Sequence, residues 1–251
     1  LVVRFSLPES VRFLESKNRD TEAEAAVRKF EEASGIAPVP TREVEPAPAR
    51  TESIWSSRLR VRTAALWAVW FGINFSYYGA FIWIPTLLSA GDATLTKSFS
   101  WTLIITLAQL PGYAAAAVLI ETWGRRETLA TFLAGSAVSA LVFGWAVSQT
   151  PLNATFVIAA GCALSFFNLG AWGALYAIGP EVYPTTIRGT GTGAAAAFGR
   201  IAAMIAPLSV PYLMGLGGRQ VVFGFFTAAF VLATVGALFL PDKRNQKLDE
   251  V

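Results

Sequence analysis

Six long apolar segments occupy most of this 251-residue chain and restrict what it can fold into. The segments are 62–90, 98–120, 128–149, 153–180, 189–214 and 220–240. Each has at least the roughly 20 residues that an α-helix needs to cross about 30 Å of hydrocarbon. The stretch from Thr128 to Pro180 contains no charged residue, whereas the first 62 residues contain 21 of the 37 in the chain. A soluble domain would need more charge to cover its surface. The sequence therefore predicts an all-α membrane protein with six transmembrane helices.

The composition argues against several other classes of protein. The single Cys162 excludes a disulfide framework, and without histidine a metal site has few ligands to draw on. The formal charge of +3 is small, and the basic residues lie beside apolar segments rather than in a stripe that could follow phosphates. No nucleophile–base pair or nucleotide-binding loop can be assembled from the sequence. We therefore expect no enzyme activity, no cofactor, no metal and no nucleic-acid partner.

The sequence divides the chain into five regions. They are the tail of a truncated transmembrane helix (1–7), cytoplasmic amphipathic helices (8–35), a flexible proline-rich linker (36–61), the six-helix transmembrane domain (62–240) and a cytoplasmic tail (241–251). Within the second region, the spacing of Thr21 and Glu24 predicts a capping box, and Gly35 predicts the end of the helix. We expect the chain to be part of a longer protein.

Basic residues in the short connections predict the orientation. One side of the membrane would hold Arg58, Arg60, Arg62, Arg125, Arg126, Arg188, Lys243, Arg244 and Lys247. The other side would hold only Lys97 and Arg219. Because cytoplasmic loops are enriched in Lys and Arg, both termini are predicted to be cytoplasmic, in a multi-pass protein of the plasma membrane.

Four polar residues lie at similar depth in four different segments. Asn74, Gln109, Asn168 and Arg200 are each about 16–18 Å from a helix end at 1.5 Å per residue. Polar groups at this depth must face protein or a water-filled cavity, so they predict a shared substrate site. Hydrogen bonding between helices is the alternative for the three amides. The third and sixth segments have only hydroxyls at this depth and are predicted to face lipid.

Arg200 differs from the amides because a guanidinium at mid-membrane needs an anion. No Asp or Glu of this chain lies at matching depth. Its partner could be a transported anion or an acidic residue outside this chain; alternatively, the helix could be shifted so that Arg200 reaches the membrane surface.

A second group of charges lies in two connections on the predicted cytoplasmic side. Glu121, Arg125 and Arg126 follow the second segment, and Glu181 and Arg188 lie between the fourth and fifth. Carboxylates and guanidiniums at the ends of cavity-lining helices could form ion pairs that hold a cytoplasmic gate. Alternatively, the arginines only determine topology.

Three motifs resemble signatures of the major facilitator superfamily, in particular its sugar-porter-like branch. They are Pro8-Glu9-Ser10-Val11-Arg12, Gly124-Arg125-Arg126 after an acidic residue, and the run from Pro180 to Gly189. The resemblance implies that the six segments are helices seven to twelve, a half-transporter built from three plus three inverted repeats. The run from Trp70 to Leu88 and the segment Phe198–Ile201 are more similar to niacin and aromatic-acid permeases and to synaptic-vesicle-type transporters.

These observations predict secondary active transport of a small organic anion, such as niacin or another aromatic carboxylate, by alternating access. Arg200 would bind the carboxylate, and Tyr77, Tyr78 and Trp172 would form aromatic walls. The resemblance implies proton coupling and an N-terminal six-helix half as partner within the lipid bilayer. The alternatives are a sugar or other metabolite symporter and a non-transporting membrane receptor or scaffold. A sugar site is disfavoured because Ala68 and Val69 occupy the positions where sugar porters have glutamines.

Overall fold

The computed structural model describes residues 10–16, 19–35, 52–89, 94–184 and 186–241, and within them every regular element is helical. The chain forms two compact units, residues 1–49 and 50–251. The predicted truncated helix at 1–7, most of the linker and nearly all of the C-terminal tail lie outside the described residues.

The first unit contains two helices within the predicted region 8–35, α1 (Val11–Ser16) and α2 (Asp20–Ser34). The capping box is wrong: Arg19 occupies the N-cap position, which places Thr21 inside the helix. The Arg19 guanidinium instead makes two hydrogen bonds, of 2.6 and 2.8 Å, with the Glu22 carboxylate. Gly35 ends α2 as predicted, in the left-handed conformation that glycine adopts at low cost.

The second unit contains helices at each of the six apolar segments. They are α3 (Arg60–Ser89), α4 (Leu95–Leu107), α5 (Gln109–Thr122), α6 (Arg125–Ala146), α7 (Ala154–Ile178) and α8 (Arg188–Leu238), with a 3₁₀ turn at Gly179–Glu181. Helix α8 has non-helical backbone at Gly217 and Gly218, which divides it into segments 188–216 and 219–238.

Four helical stretches are long and apolar enough to cross a membrane. They are Thr96–Thr122, Arg125–Ala146, Ala154–Glu181 and the 51-residue Arg188–Leu238. The last is divided at Gly217–Gly218 and so supplies two of the predicted spans. Helix α3 is not among the four, although its 30 residues would extend about 45 Å at 1.5 Å per residue. Its three Trp, two Tyr, two Ser, two Arg and one Asn lower its mean hydropathy.

Prolines explain two local features of these helices. Pro111 has no N–H to donate to the Leu107 carbonyl, and α4 ends at that residue. In α8, Pro211 likewise deprives the Pro207 carbonyl of its helical donor. The indole Nε1 of Trp83 donates to this carbonyl at 3.1 Å, which ties α3 to α8.

Contacts between the helices show that successive segments run in opposite directions. Phe132 meets Gly170, and Phe143 meets Gly161, so α6 and α7 are antiparallel. Helix α3 packs most extensively against α8. It runs parallel to segment 188–216 and antiparallel to segment 219–238, where Gly72 lies directly against the backbone of Ala229. This alternation is the arrangement expected when each segment crosses the bilayer once.

Candidate functional site

Arg200 lies on segment 188–216 and is exposed at the surface of this chain. Its Nη1 donates to the Tyr78 hydroxyl on α3 at 2.9 Å. The two helices approach closely because Gly199 has no side chain: a Cβ there would lie 2.8 Å from Asn74 Nδ2 and 3.1 Å from the Trp70 carbonyl oxygen. No ion pair seen within the described residues involves Arg200. The guanidinium therefore presents its charge at the chain surface with a phenol as neighbour.

Aromatic rings surround Tyr78 on the same side of the bundle. The ring centroid of Tyr77 lies 5.2 Å from that of Tyr78 and 6.0 Å from that of Trp172 on α7. The Gln109 side chain, at the start of α5, lies near Tyr77. The structure thus brings together five of the seven predicted substrate-site residues: Arg200, Tyr77, Tyr78, Gln109 and Trp172.

The other two predicted site residues, Asn74 and Asn168, lie inside the bundle with no exposed surface. Asn74 Nδ2 donates to the Trp70 carbonyl oxygen at 2.8 Å. Both residues belong to α3, so this bond does not join two helices as the alternative interpretation of the amides proposed. Neither amide atom of Asn168 has a hydrogen-bond partner among the described residues. Their contact with a ligand remains a prediction, and it would require α3 or α7 to move.

Sequence reasoning missed three aromatic residues of this cluster, of which Trp70 is buried. Tyr176 is 55% exposed and stacks on Trp172 at 5.6 Å, and Trp70 meets both rings edge-on. Tyr113 on α5 lies against the backbone of Gly173 on α7. Helical spacing could have found Tyr176, which follows Trp172 by four residues on the same face.

Two of the predicted gate residues form an ion pair that joins two elements. Arg125 Nε lies 2.9 Å from Glu181 Oε1, which joins the start of α6 to the turn after α7. Arg126 instead pairs with the adjacent Glu127 at 2.6 Å, a partner that the sequence analysis did not consider. Glu121 is exposed at the end of α5, and Arg188 begins α8. Among the predicted gate residues, the structure thus pairs Arg125 with Glu181.

Tyr183 adds a second connection at this end of the bundle. Its hydroxyl donates to Thr63 Oγ1 at 3.2 Å, and Thr63 donates in turn to the Ile54 carbonyl oxygen at 2.7 Å. Burial raises the pKa of Tyr183 above its ordinary value, and the hydrogen bond with Thr63 partly opposes this shift. The phenol therefore stays protonated at neutral pH. Its hydrogen bond links the connection between α7 and α8 to the start of α3.

Comparison with known proteins identifies the family. The whole chain, residues 1–251, matches the family described as "Sugar (and other) transporter". The chain is 42% identical over 244 residues to the niacin transporter NiaP of Acinetobacter baylyi, covering 95% of this chain and 54% of that protein. It is 26% identical over 264 residues to the synaptic vesicle 2-related protein of Xenopus laevis, covering 96% of this chain and 47% of that protein.

The chain spans about half the length of the curated relatives that it matches. Its described helices and this family match confirm the predicted fold class, an all-helical membrane protein that corresponds to half of a major facilitator transporter. The family and the NiaP protein of Acinetobacter baylyi are described as transporters, which also confirms that the chain is not an enzyme. This chain belongs to the sugar (and other) transporter family of the major facilitator superfamily.

Proposed function

We propose that the complete protein transports a small aromatic carboxylate of the niacin type across the plasma membrane by alternating access. The observation that carries the proposal is the exposed Arg200 guanidinium bonded to Tyr78 beside the rings of Tyr77 and Trp172. Arg200 follows the start of α8 by 12 residues, or about 18 Å at 1.5 Å per residue. A cation at that depth is stabilised by an anion, and a carboxylate accepts two parallel N–H bonds from a guanidinium.

The aromatic residues supply the second half of the recognition. A planar ring bound through its carboxylate at Arg200 could lie against Tyr77, Tyr78 or Trp172, whose faces and edges favour stacked or edge-on contacts. The similarity to a protein named as a niacin transporter supports this substrate class. A sugar is favoured less, because Gln109 is the one predicted site amide that is partly exposed.

Uptake of labelled nicotinate by the full-length protein tests the role of Arg200. Arg200→Gln should raise the KM about ten- to a hundredfold, because a hydrogen bond to a charged group is worth about 1.5–3 kcal/mol. Arg200→Lys should recover part of the loss, since lysine keeps the charge without the bidentate geometry. Tyr78→Phe should have a smaller effect, and Tyr212→Phe, at an exposed tyrosine on segment 188–216, serves as its control.

Competition by nicotinamide, which is uncharged, separates carboxylate recognition from a general loss of folding. Inhibition of uptake by nicotinamide should be equally strong in wild type and in Arg200→Gln. An equal loss of affinity for nicotinate and for nicotinamide in Arg200→Gln would show that Arg200 does not recognise the carboxylate. Ligand binding without accumulation against a gradient would favour a receptor.

The proposal includes proton coupling, a six-helix partner half and cytoplasmic termini. Proton coupling rests on the resemblance to the superfamily, and the partner half on relatives about twice as long as this chain. If coupling holds, a protonophore should abolish accumulation of nicotinate while leaving exchange of labelled for unlabelled nicotinate intact. Accumulation that persists without a pH gradient would contradict it.

A further inference from the structure

A groove on the outside of the bundle lies between α6 and segment 219–238, away from the Arg200 site. It has a volume of about 470 Å³ and is lined mainly by apolar residues and glycines: Leu141, Val142, Gly144, Trp145, Gln220, Phe223 and Gly224. Leu141 and Trp145 are more than half exposed. The two helices pack antiparallel, since Gly144 meets Phe223 and the Thr227 hydroxyl donates to the Ala137 carbonyl oxygen. The groove is the feature expected of a helix pair that faces lipid, as predicted for these two segments.

The groove continues into a polar concavity at one end of the helices. Gln220 lines both, and the concavity of about 290 Å³ is completed by Ser148, Gly217, Gly218 and Arg219. Arg219 Nη1 donates to the Val147 carbonyl oxygen, which holds the cation at the end of α6. The apolar part therefore runs along two helices that can cross a membrane, and the polar part lies where both of them end.

The groove and the concavity match the two chemical parts of a phospholipid, with an apolar part along the helices and a polar part at their ends. An acyl chain gains from contact with the apolar residues, and the headgroup lies at the level where the spanning helices end. A cation at that level favours a negatively charged headgroup, and hydroxyl, amide and guanidinium groups can donate to phosphate oxygens. A water-soluble ligand would not bind in a groove that opens towards hydrocarbon along most of its length, because it would lose its hydration there.

We propose that this groove binds one anionic phospholipid, with an acyl chain between Leu141, Trp145 and Gly224 and the phosphate at Arg219. The absence of a side chain at Gly224 keeps the groove open, since a Cβ built there meets no other atom within 4 Å. A larger residue can therefore fill the groove without a clash inside the chain. This site is independent of the substrate proposal, because it involves none of the residues assigned to substrate.

Quenching of Trp145 fluorescence by brominated lipids tests the proposal in the full-length protein reconstituted in phosphatidylcholine vesicles. The Trp145 signal is obtained by subtracting the signal of Trp145→Phe. Brominated phosphatidylglycerol should bind on the order of fivefold more tightly than brominated phosphatidylcholine, the effect of about one cation near an anionic headgroup. Arg219→Gln should remove this preference, and Arg219→Lys should keep it.

Two variants test the groove itself. Gly224→Leu should reduce quenching by both lipids, whereas Gly193→Leu, at an exposed glycine of segment 188–216 that does not line the groove, should not. Equal affinity for the two brominated lipids would overturn the anionic site. Equal quenching in Gly224→Leu and Gly193→Leu, or no quenching in wild type, would overturn the lipid site.

Discussion

The Arg125–Glu181 ion pair is a contact between residues far apart in the sequence that both lie at the ends of helices. Arg125 begins α6, and Glu181 ends the 3₁₀ turn that follows α7. The side chains are 31% and 19% exposed, so water screens part of their attraction. A pair in this position can hold α6 and α7 together at one end and separate when the bundle rearranges.

A double-mutant cycle on Arg125→Gln and Glu181→Gln measures the interaction free energy of this ion pair. We expect a coupling free energy on the order of 1 kcal/mol in thermal unfolding, as is typical of partly exposed pairs. Nicotinate uptake should fall in both single variants and recover in Arg125→Glu/Glu181→Arg. Arg126→Gln, whose partner is the adjacent Glu127, should show no coupling with Glu181→Gln. Strictly additive effects would mean that these arginines act only on topology.

Single residues show how far the sequence could locate the site. Arg200 was found because a charge inside an apolar run is costly, and this signal needs no tertiary structure. Its bond to Tyr78 depends on the close approach of two helices at Gly199, which a sequence pattern does not reveal. Similarly, the sequence predicts how deep Asn168 lies along its helix. It does not predict the rotation of the helix about its axis, which turns Asn168 into the interior of the bundle.

At the level of elements, the structure shows helix breaks that hydropathy alone does not locate. Pro111 lies inside the second predicted segment, and α4 ends four residues before it. Between the last two segments, hydropathy predicts a loop from 215 to 219. The structure instead continues the helix up to two glycines, because a sharp change of direction needs only two residues with unusual backbone angles.

Gly218 should be the residue of this joint that is most sensitive to substitution. Its φ of 70° and ψ of −157° lie in a region that residues with a side chain rarely adopt. A Cβ there would meet nothing within 4 Å, so the cost of Gly218→Ala comes from backbone strain, about 1–3 kcal/mol in thermal unfolding. Gly215→Ala, which is helical and equally open, should cause no loss of stability. Equal stability of the two variants would contradict the strain.

For the whole molecule, the direction of each helix follows from its neighbours and constrains the topology. Helix α6 runs antiparallel to both α7 and segment 219–238, and α5 runs parallel to α7, with Gly112 against the Phe166 backbone and Gly173 beside Tyr113. Helices that alternate in this way place successive connections on opposite sides of a bilayer. Hydropathy predicts the number of segments, and the packing contacts independently give the alternation.

Four cysteine substitutions test this topology in the full-length protein, starting from a Cys162→Ala parent. The positions are Thr122, Thr150, Thr186 and Leu216, which are exposed and lie in successive connections or at helix ends. Because basic residues favour the cytoplasm, a membrane-impermeant maleimide should label Thr122→Cys and Thr186→Cys only from the cytoplasmic side. Thr150→Cys and Leu216→Cys should be labelled only from outside. Labelling of two successive positions from the same side would mean that the intervening helix does not cross the membrane.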